Sequence, residues 1–235
     1  MVYVDGPTDT LASDMTQSTF LRARRPEQKL QRREAILAAA RDLALASGVS
    51  NVSLGAVAET VGLAKSNISR YFGTREEIYL VLLAEEWREW AQAVSARLQD
   101  GHGTATAVTA LAETIVDRRL FCDLLSHAST TLEQNVSVPA ARTFKHTVHE
   151  LVAATGADVA RVTGLTEREG GELTAMAATL AGTLYPAANP PPALTELYAE
   201  DPELAASRPD APSTLLRTLS ALAAGLPTLR DTTLG

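Results

Sequence analysis

The sequence lacks features that several classes of protein require. Its 235 residues include a single cysteine, Cys122, so it can form neither an internal disulfide nor a multi-cysteine zinc site. It has no run of about 18 apolar residues, which argues against a membrane span. Residues 1–19 lack both a charged start and an apolar core, so no signal peptide is expected. These absences favour a soluble protein of the reducing cytoplasm.

The motifs of common catalytic sites are also absent. The sequence contains no H-E-x-x-H, G-x-S-x-G or G-x-x-x-x-G-K pattern. The Gly-His-Gly at residues 101–103 follows a predicted helix rather than a strand, so it is not a dinucleotide fingerprint. A solvated helix face explains the acidic cluster of Glu85, Glu86 and Glu89. We therefore expect neither enzymatic activity nor a cofactor.

Charge is distributed unevenly along the chain. The formal net charge is −7, yet residues 20–75 carry ten Lys and Arg against four Asp and Glu. Residues 76–235 carry eleven bases against twenty-one acids. A segment of net charge +6 is thus joined to a body of net charge −10. The total would argue against nucleic acid as a partner, but its distribution indicates residues 20–75 as the place where nucleic acid would bind.

Apolar residues recur at helical spacing through most of the chain, which predicts an all-α protein. Helices are predicted over residues 32–47, 54–61, 65–72, 75–99, 105–118, 120–135, 139–163, 166–184 and 213–224. Ser53 and Thr74 are predicted caps, the latter in a T-x-x-E capping box with Glu77. The prolines of residues 186–212 predict an irregular stretch. The polar composition of residues 1–19 predicts a disordered tail.

The second and third predicted helices, separated by a turn that contains Gly62, have the form of a helix-turn-helix. Their predicted core is Ile36, Leu43, Val57, Ile68 and Phe72. The third helix leaves hydrogen-bonding groups and two cations on its outward side, namely Lys65, Ser66, Asn67, Ser69 and Arg70. Such groups suit base edges and phosphates in a major groove. A solvated face is the alternative, but no Asp or Glu occurs from Val61 to Arg75, which favours nucleic acid.

The stretch GLAKSNISRYFGTREEI at residues 62–78 resembles the recognition helix, Tyr-Phe pair and capped fourth helix of TetR-type transcriptional regulators. The resemblance extends over about 50 residues, 35–83, and residues 121–145 resemble one C-terminal subgroup. It implies a homodimer on a palindromic operator of double-stranded DNA, with a helical domain whose small-molecule ligand releases the DNA. The implied domains are a flexible tail with a basic arm (1–28), a helix-turn-helix domain (29–76) and a regulatory and dimerisation domain (77–235).

The resemblance also implies roles for individual residues. The five outward residues of the third helix would face the groove, Tyr71 would hydrogen-bond a phosphate, and Thr74 and Arg75 would hold the DNA backbone nearby. Ser53 would add another phosphate contact. Ala64 stands where a Ser or Thr cap is usual, and Gly55 where a longer polar side chain often touches DNA. Upstream, Arg22, Arg24 and Arg25 form either an arm along the minor groove or phosphates, or a solubilising lead-in.

A small-molecule site would lie among apolar residues of the middle helices. The candidates are Trp87, Trp90, Phe121, Leu125, Phe144, Val148 and Met176, although plain core gives the same pattern. His146, His149 and Glu150, with His127 and Glu133 as additions, have the residue types of a metal site, but a structural or surface role is favoured and no metal is predicted. Cys122 is predicted to be a core residue rather than a redox sensor.

The sequence therefore predicts an all-α DNA-binding regulator, with a three-helix head joined to a larger helical domain for ligand binding and dimerisation. The predicted activity is repression relieved by a ligand. The alternatives are a transcriptional activator, or a helical ligand-binding or interaction protein without DNA binding. Dimerisation is expected through two helix faces, Ala175, Ala178, Thr179, Gly182 and Thr183 on one and Leu215, Leu216, Leu219 and Leu222 on the other.

Overall fold

The computed structural model describes the backbone of residues 10–230 and the side chains of residues 27–230. Within this part the protein has eleven α-helices and no strand, so the all-α prediction is confirmed. The helices are α1 (Thr10–Ser47), α2 (Leu54–Thr60), α3 (Lys65–Ile68), α4 (Arg75–Leu98), α5 (Thr104–Val116), α6 (Arg119–His127), α7 (Val138–Thr163), α8 (Glu167–Ala188), α9 (Pro192–Glu200), α10 (Pro202–Ala206) and α11 (Ala211–Gly225). A π-turn (Ala128–Leu132) extends α6, and 3₁₀ turns follow α1 (Val49–Asn51) and α11 (Leu226–Leu229).

Helix α1 is longer than predicted. It begins at Thr10 rather than near Arg32, and so includes much of the segment predicted as a flexible tail. No glycine occurs between Thr10 and Ser47, and strong helix formers such as Leu, Ala, Arg and Gln prevail. The helix ends as predicted before Gly48, whose φ of 87° favours glycine. Arg22, Arg24 and Arg25 fall on this helix, but their side chains lie outside the described residues.

Helices α1, α2 and α3 pack around a small core and form the head of the molecule. Four of its five predicted core residues, Ile36, Val57, Ile68 and Phe72, are buried, and the fifth, Leu43, packs against them half-buried. The Ser53 hydroxyl accepts a hydrogen bond from the Ala56 N–H (3.1 Å) and caps α2. Ala64 caps α3 without a side-chain bond. Helix α3 has four residues and is followed by turns as far as Tyr71.

The remaining helices form the body. Helix α7 packs along α8 and α4, α6 packs on α8, and α11 packs between α5 and α8. Where α7 crosses α8 the two backbones touch, because a Cβ built on Gly170 would lie 2.2 Å from the Gly156 carbonyl oxygen. Farther along α8, a Cβ on Gly182 would lie 2.9 Å from that of Leu125 on α6. Glycine is therefore required at points where helices approach closely.

The prediction that the proline-rich stretch is irregular is wrong. Helices α9 and α10 occupy most of it, and α8 continues through Pro186 to Ala188. Pro192, Pro202 and Pro212 lie in the first turns of α9, α10 and α11. The N–H groups of the first turn have no hydrogen-bond partner within the helix, so a proline there loses no bond and starts a helix rather than breaking one.

The two predicted dimerisation faces lie partly inside the protomer. Ala178 and Gly182 of α8 are buried, and so are Leu215 and Leu219 of α11. Their small or apolar side chains are explained by packing within this chain. The exposed residues of the predicted α8 face are Ala175, Thr179 and Thr183.

A buried carboxylate connects the head to the body. Glu86 on α4 accepts hydrogen bonds from Arg41 of α1 (3.0 Å) and Arg118 of the α5–α6 connection (3.3 Å). Arg41 also bonds Glu85 (2.8 Å), and Arg118 bonds Glu89 (3.0 Å). Burial raises the pKa of Glu86, while the two guanidinium groups oppose that shift. The solvated face predicted for this acidic cluster is therefore wrong for Glu86, which lies in the interior.

Candidate nucleic-acid interface

The outer side of α3 and the turn after it presents cations and hydroxyl groups. Lys65, Ser66, Ser69 and Arg70 are exposed, and Asn67 is half-buried. The Ser69 hydroxyl donates to the Ser66 carbonyl (2.7 Å), which holds its side chain against the helix. Among the described residues, neither Lys65 nor Arg70 has an ion-pair partner. Their positive charges are therefore available to an anion such as phosphate.

A groove of about 890 Å³ lies between α1 and the residues that follow α3. We call it the basic groove, and its walls are Gln28, Lys29, Gln31, Arg32, Ala35, Arg70 and Tyr71. Three of these residues are cations and none is an acid. The sequence shows Lys29 and Arg32 only as members of a basic stretch, because the distance between α1 and the end of α3 is not visible in it. Sequence reasoning therefore missed them as neighbours of Arg70.

Tyr71 lies half-buried at the edge of this groove and is held by α1. Its carbonyl oxygen accepts a hydrogen bond from the Arg33 guanidinium (3.1 Å). The same guanidinium lies over the Phe72 ring, with its Cζ 4.1 Å from the ring centroid. The structure thus brings Tyr71 together with Arg70 beside the basic groove.

Arg75 lies apart from this surface. Its Nε donates to the Val52 carbonyl (2.5 Å), and a further N–H donates to the Val49 carbonyl. Its guanidinium also contacts Glu76 (3.2 Å) and lies over the Tyr79 ring. These inward contacts hold the loop between α1 and α2, so we leave Arg75 out of the candidate interface.

Thr74 is also engaged within the protein, at a contact we call the junction (Thr74, Glu77, Asn135 and Ser137). The Thr74 hydroxyl accepts from the Glu77 N–H (3.1 Å) and donates to the Asn135 carbonyl (2.8 Å). The Glu77 carboxylate accepts from the Gly73 N–H (2.8 Å) and from the N–H and hydroxyl of Ser137 (3.1 and 2.6 Å). The bond from the Ser137 hydroxyl is the main cause of the lowered pKa of Glu77.

A second tie between head and body is the buried carboxylate of Asp123 on α6. It accepts a hydrogen bond from the Val49 N–H (2.8 Å), at the turn that follows α1. The His127 Nε2 lies 3.6 Å from the other carboxylate oxygen. Sequence reasoning missed Asp123, although a lone acid in the apolar stretch Leu120–Leu125 is a signal that could have identified it.

The candidate ligand residues fall into separate places. Trp87, Trp90 and Phe121 are buried and pack on one another, with ring centroids 5.4 to 5.8 Å apart. The Trp90 indole N–H donates to the Thr114 hydroxyl (3.0 Å). Leu125 and Val148 are half-buried against the same core, Phe144 is buried at a groove beside α1, and Met176 is 40 % exposed on α8. The structure therefore does not bring all seven residues into one cavity.

The other reactive side chains are placed as follows. Cys122 is buried, and burial is the main cause that raises the pKa of its thiol to about 12. His146, His149 and Glu150 are exposed on α7. In the part of the chain whose side chains are described, no three His, Cys, Asp or Glu residues lie close enough together to hold a metal ion.

The sequence models of two protein families match the chain over almost all of its described length. "Bacterial regulatory proteins, tetR family" matches residues 36–82, and "Tetracyclin repressor-like, C-terminal domain" matches residues 84–230. The chain belongs to the TetR family. Within the head, α2 and α3 form the helix-turn-helix, and the protein is a transcriptional regulator with a DNA-binding domain.

Solved structures share the fold of this TetR-family regulator. The fatty acid degradation regulator FadR from Bacillus halodurans has a TM-score of 0.53 at 10 % identity, over 83 % of this chain and 95 % of its own. The multidrug binding protein EbrR, complexed with imidazole, has a TM-score of 0.51 at 20 % identity, over 81 % and 94 %. FadR from Bacillus subtilis, in complex with stearoyl-CoA, has a TM-score of 0.50 at 13 % identity, over 82 % and 98 %. Sequence identities as low as these establish a shared fold alone.

A search of curated proteins finds no match to this TetR-family chain. None of the helices within residues 10–230 has both the length and the apolar composition that crossing a lipid bilayer requires.

Proposed function

We propose that this TetR-family protein is a homodimeric repressor that binds a palindromic operator and leaves it when a small molecule binds. The observation that carries the proposal is the basic groove beside the exposed side of α3. Lys29, Arg32 and Arg70 supply three cations in the groove, and Lys65 adds a fourth on the exposed side of α3, in a chain whose net charge is −7. An acidic protein that concentrates cations around a short helix is suited to a polyanion such as DNA.

Base reading and phosphate contact are assigned to different residues. Lys65, Ser66 and Asn67 lie on α3 itself, and this helix is the element that enters a major groove. We assign Tyr71 and the cations of the basic groove, which lie together, to the phosphates that border the major groove. Ser53 caps α2 and remains exposed, and we assign it a further contact to the phosphate backbone of the DNA.

Release requires that the ligand favours a form in which the two heads of the dimer are wrongly spaced for successive major grooves. Asp123 and Glu86 join the body to the head through polar contacts, and the junction joins the start of α4, next to the head, to the residues that precede α7. A change in the packing of α4, α6 or α7 would therefore reach the head directly.

The proposal is tested by fluorescence anisotropy with DNA from the region upstream of the protein's own gene. We expect binding that is selective over scrambled DNA at about 150 mM salt, the ionic strength of the cell. Arg70→Ala should weaken this binding. It should also reduce the slope of log K against log salt concentration by the amount expected for about one phosphate contact. Arg168→Ala, an exposed cation on α8 of the body, is the matched control and should bind as the wild type does. Equal affinity for scrambled DNA would reject a sequence-specific regulator.

Two substitutions separate base reading from phosphate contact. Tyr71→Phe should weaken binding to all operator variants alike, whereas Asn67→Ala should change the preference among them. A uniform loss in both variants would show that Asn67 does not read bases.

A reporter placed behind the operator distinguishes repression from activation, since removal of a repressor raises expression and removal of an activator lowers it.

A further inference from the structure

A second groove, of about 350 Å³, lies where the head meets the body. We call it the junction groove; it is bounded by α1, the residues after α3, α4 and α7. Its floor is apolar and contains the buried side chains of Phe72, Leu80 and Phe144. Its volume is within the range of about 300–1,000 Å³ that is usual for small-molecule sites.

The junction groove is elongated, because its lining follows α4 over several turns. Glu77, Leu80, Ala84 and Arg88 line it at spacings of three and four residues. At a rise of about 1.5 Å per residue, Glu77 and Arg88 are separated by roughly 16 Å along the helix axis. One end of the groove is therefore beside Tyr71, and the other is at Arg88.

The two ends differ in charge. Beside Tyr71 the charges of Arg33 and Glu77 offset each other: the hydrogen bond from Ser137 is the main cause of the lowered pKa of Glu77, and the charge of Arg33 lowers it further. At the other end, Arg88 is exposed and has neither an ion pair nor a hydrogen bond to the described residues. Its neighbours Glu85 and Glu89 on α4 bond to Arg41 and Arg118 instead. The guanidinium group of Arg88 is therefore available to a carboxylate from outside the protein.

We propose that the junction groove binds an elongated amphipathic monocarboxylate, with the carboxylate at Arg88 and the apolar chain on the floor that leads to Tyr71. A guanidinium group pairs with a carboxylate through two parallel hydrogen bonds. The apolar floor accepts a hydrocarbon chain, but burial there of a hydroxylated or doubly charged ligand would cost free energy. One guanidinium group without a bonded carboxylate matches one carboxylate of a ligand.

The position of the groove gives its occupancy a consequence for DNA, and this part rests on the proposed function. Phe72 and Tyr71 border the groove, and Arg33 holds the Tyr71 carbonyl. A chain inserted against Phe72 would displace these contacts and move the residue assigned to a phosphate. Carboxylate and operator should therefore each weaken the binding of the other by the same factor.

The test is isothermal titration calorimetry of the full chain with decanoate, kept below its micelle concentration, and with decan-1-ol as the uncharged counterpart. We expect saturable binding of one decanoate per chain and binding of decan-1-ol that is about fivefold weaker, the value of a partly exposed charge pair. Arg88→Ala should weaken decanoate binding by the same factor. Thr143→Trp, at an exposed position of the lining, should block the groove and abolish binding.

Arg142→Ala is the matched control, because Arg142 is exposed on α7 but does not line the groove. It should bind decanoate as the wild type does. The site is rejected if decanoate does not saturate, if decan-1-ol binds equally well, or if Arg88→Ala and Thr143→Trp, shown by circular dichroism to be folded, leave binding unchanged.

Operator binding measured on the same samples separates this inference from the proposed function. Decanoate binding without operator binding would retain the site and reject the repressor. Operator binding without decanoate binding would reject only the site.

Discussion

Two adjacent glycines of α8 should respond in opposite ways to replacement by alanine. A Cβ on Gly170 would lie 2.2 Å from the carbonyl oxygen of Gly156 and 3.0 Å from its carbonyl carbon. Both atoms belong to the backbone of α7 and cannot rotate aside. A Cβ on Gly171 would meet only a methyl group of Val152, at 4.0 Å, which is ordinary van der Waals contact. The two variants therefore add the same methyl group to a crowded position and to an open one.

The magnitudes follow from these distances. Gly171→Ala should stabilise the protein by about 0.5–1 kcal/mol, because alanine loses less backbone entropy than glycine in a helix. Gly170→Ala gains the same entropy term but forces α7 and α8 apart, and overpacking of this kind costs about 1–3 kcal/mol. We expect the variants to differ by about 2 kcal/mol, or roughly 4–8 °C in Tm for a chain of this size.

Thermal and urea unfolding, followed by circular dichroism, measure this difference. Gly156→Ala provides a check from the opposite helix, since its Cβ would lie 2.5 Å from the Gly171 nitrogen, and it should behave like Gly170→Ala. A Tm for Gly170→Ala at or above that of Gly171→Ala would refute the backbone contact between α7 and α8.

Three further variants test contacts of single side chains. Ser137→Ala should raise the pKa of Glu77 toward its usual value and lower stability by about 1 kcal/mol, since a hydroxyl donor and a helix cap are lost; an unchanged Glu77 titration by NMR would contradict this. Arg75→Ala should cost on the order of 2 kcal/mol in urea unfolding, because two loop carbonyls lose a charged donor; full stability would show that these bonds contribute nothing. The bonds from Arg230 lower the pKa of Glu169 from 4.5 to about 2. The stabilisation that the ionised Glu169 gives the folded protein is therefore present above about pH 4.5 and is lost as the pH falls toward 2. Glu169→Gln should remove that part of the acid sensitivity in urea unfolding, and an unchanged pH profile would rule it out.

Local signals in the sequence predicted most helix ends. Ser53, Thr74 and Gly48 mark ends because a cap hydroxyl or a positive φ acts within a few residues of the chain. The prolines misled the prediction because a proline in the first turn starts a helix, as at Pro192, Pro202 and Pro212, and because α8 continues through Pro186. The start of α1 was misplaced because helix formers without an apolar stripe still continue a helix.

The candidate site could be predicted only in part. Periodicity shows which side of α3 faces outward, and it correctly left Lys65, Ser66 and Arg70 exposed. It says nothing about which side chains from distant segments meet. The inward turn of Arg75 toward the loop after α1 is therefore visible only in the structure. The same holds for the meeting of Arg32 with Arg70, 38 residues later, in the basic groove.

The buried carboxylate of Glu86 has a consequence for how this protein can diverge. A carboxylate removed from water is tolerated only while Arg41 and Arg118 remain to pair with it. Loss of one arginine would leave the buried carboxylate with a single partner, and loss of Glu86 would leave Arg41 and Arg118 without the acceptor they share. Replacement of all three by apolar residues would remove the penalty altogether. We therefore expect close homologues to keep the three residues or to lack them together, so that α1, α4 and the α5–α6 connection change as one inherited unit.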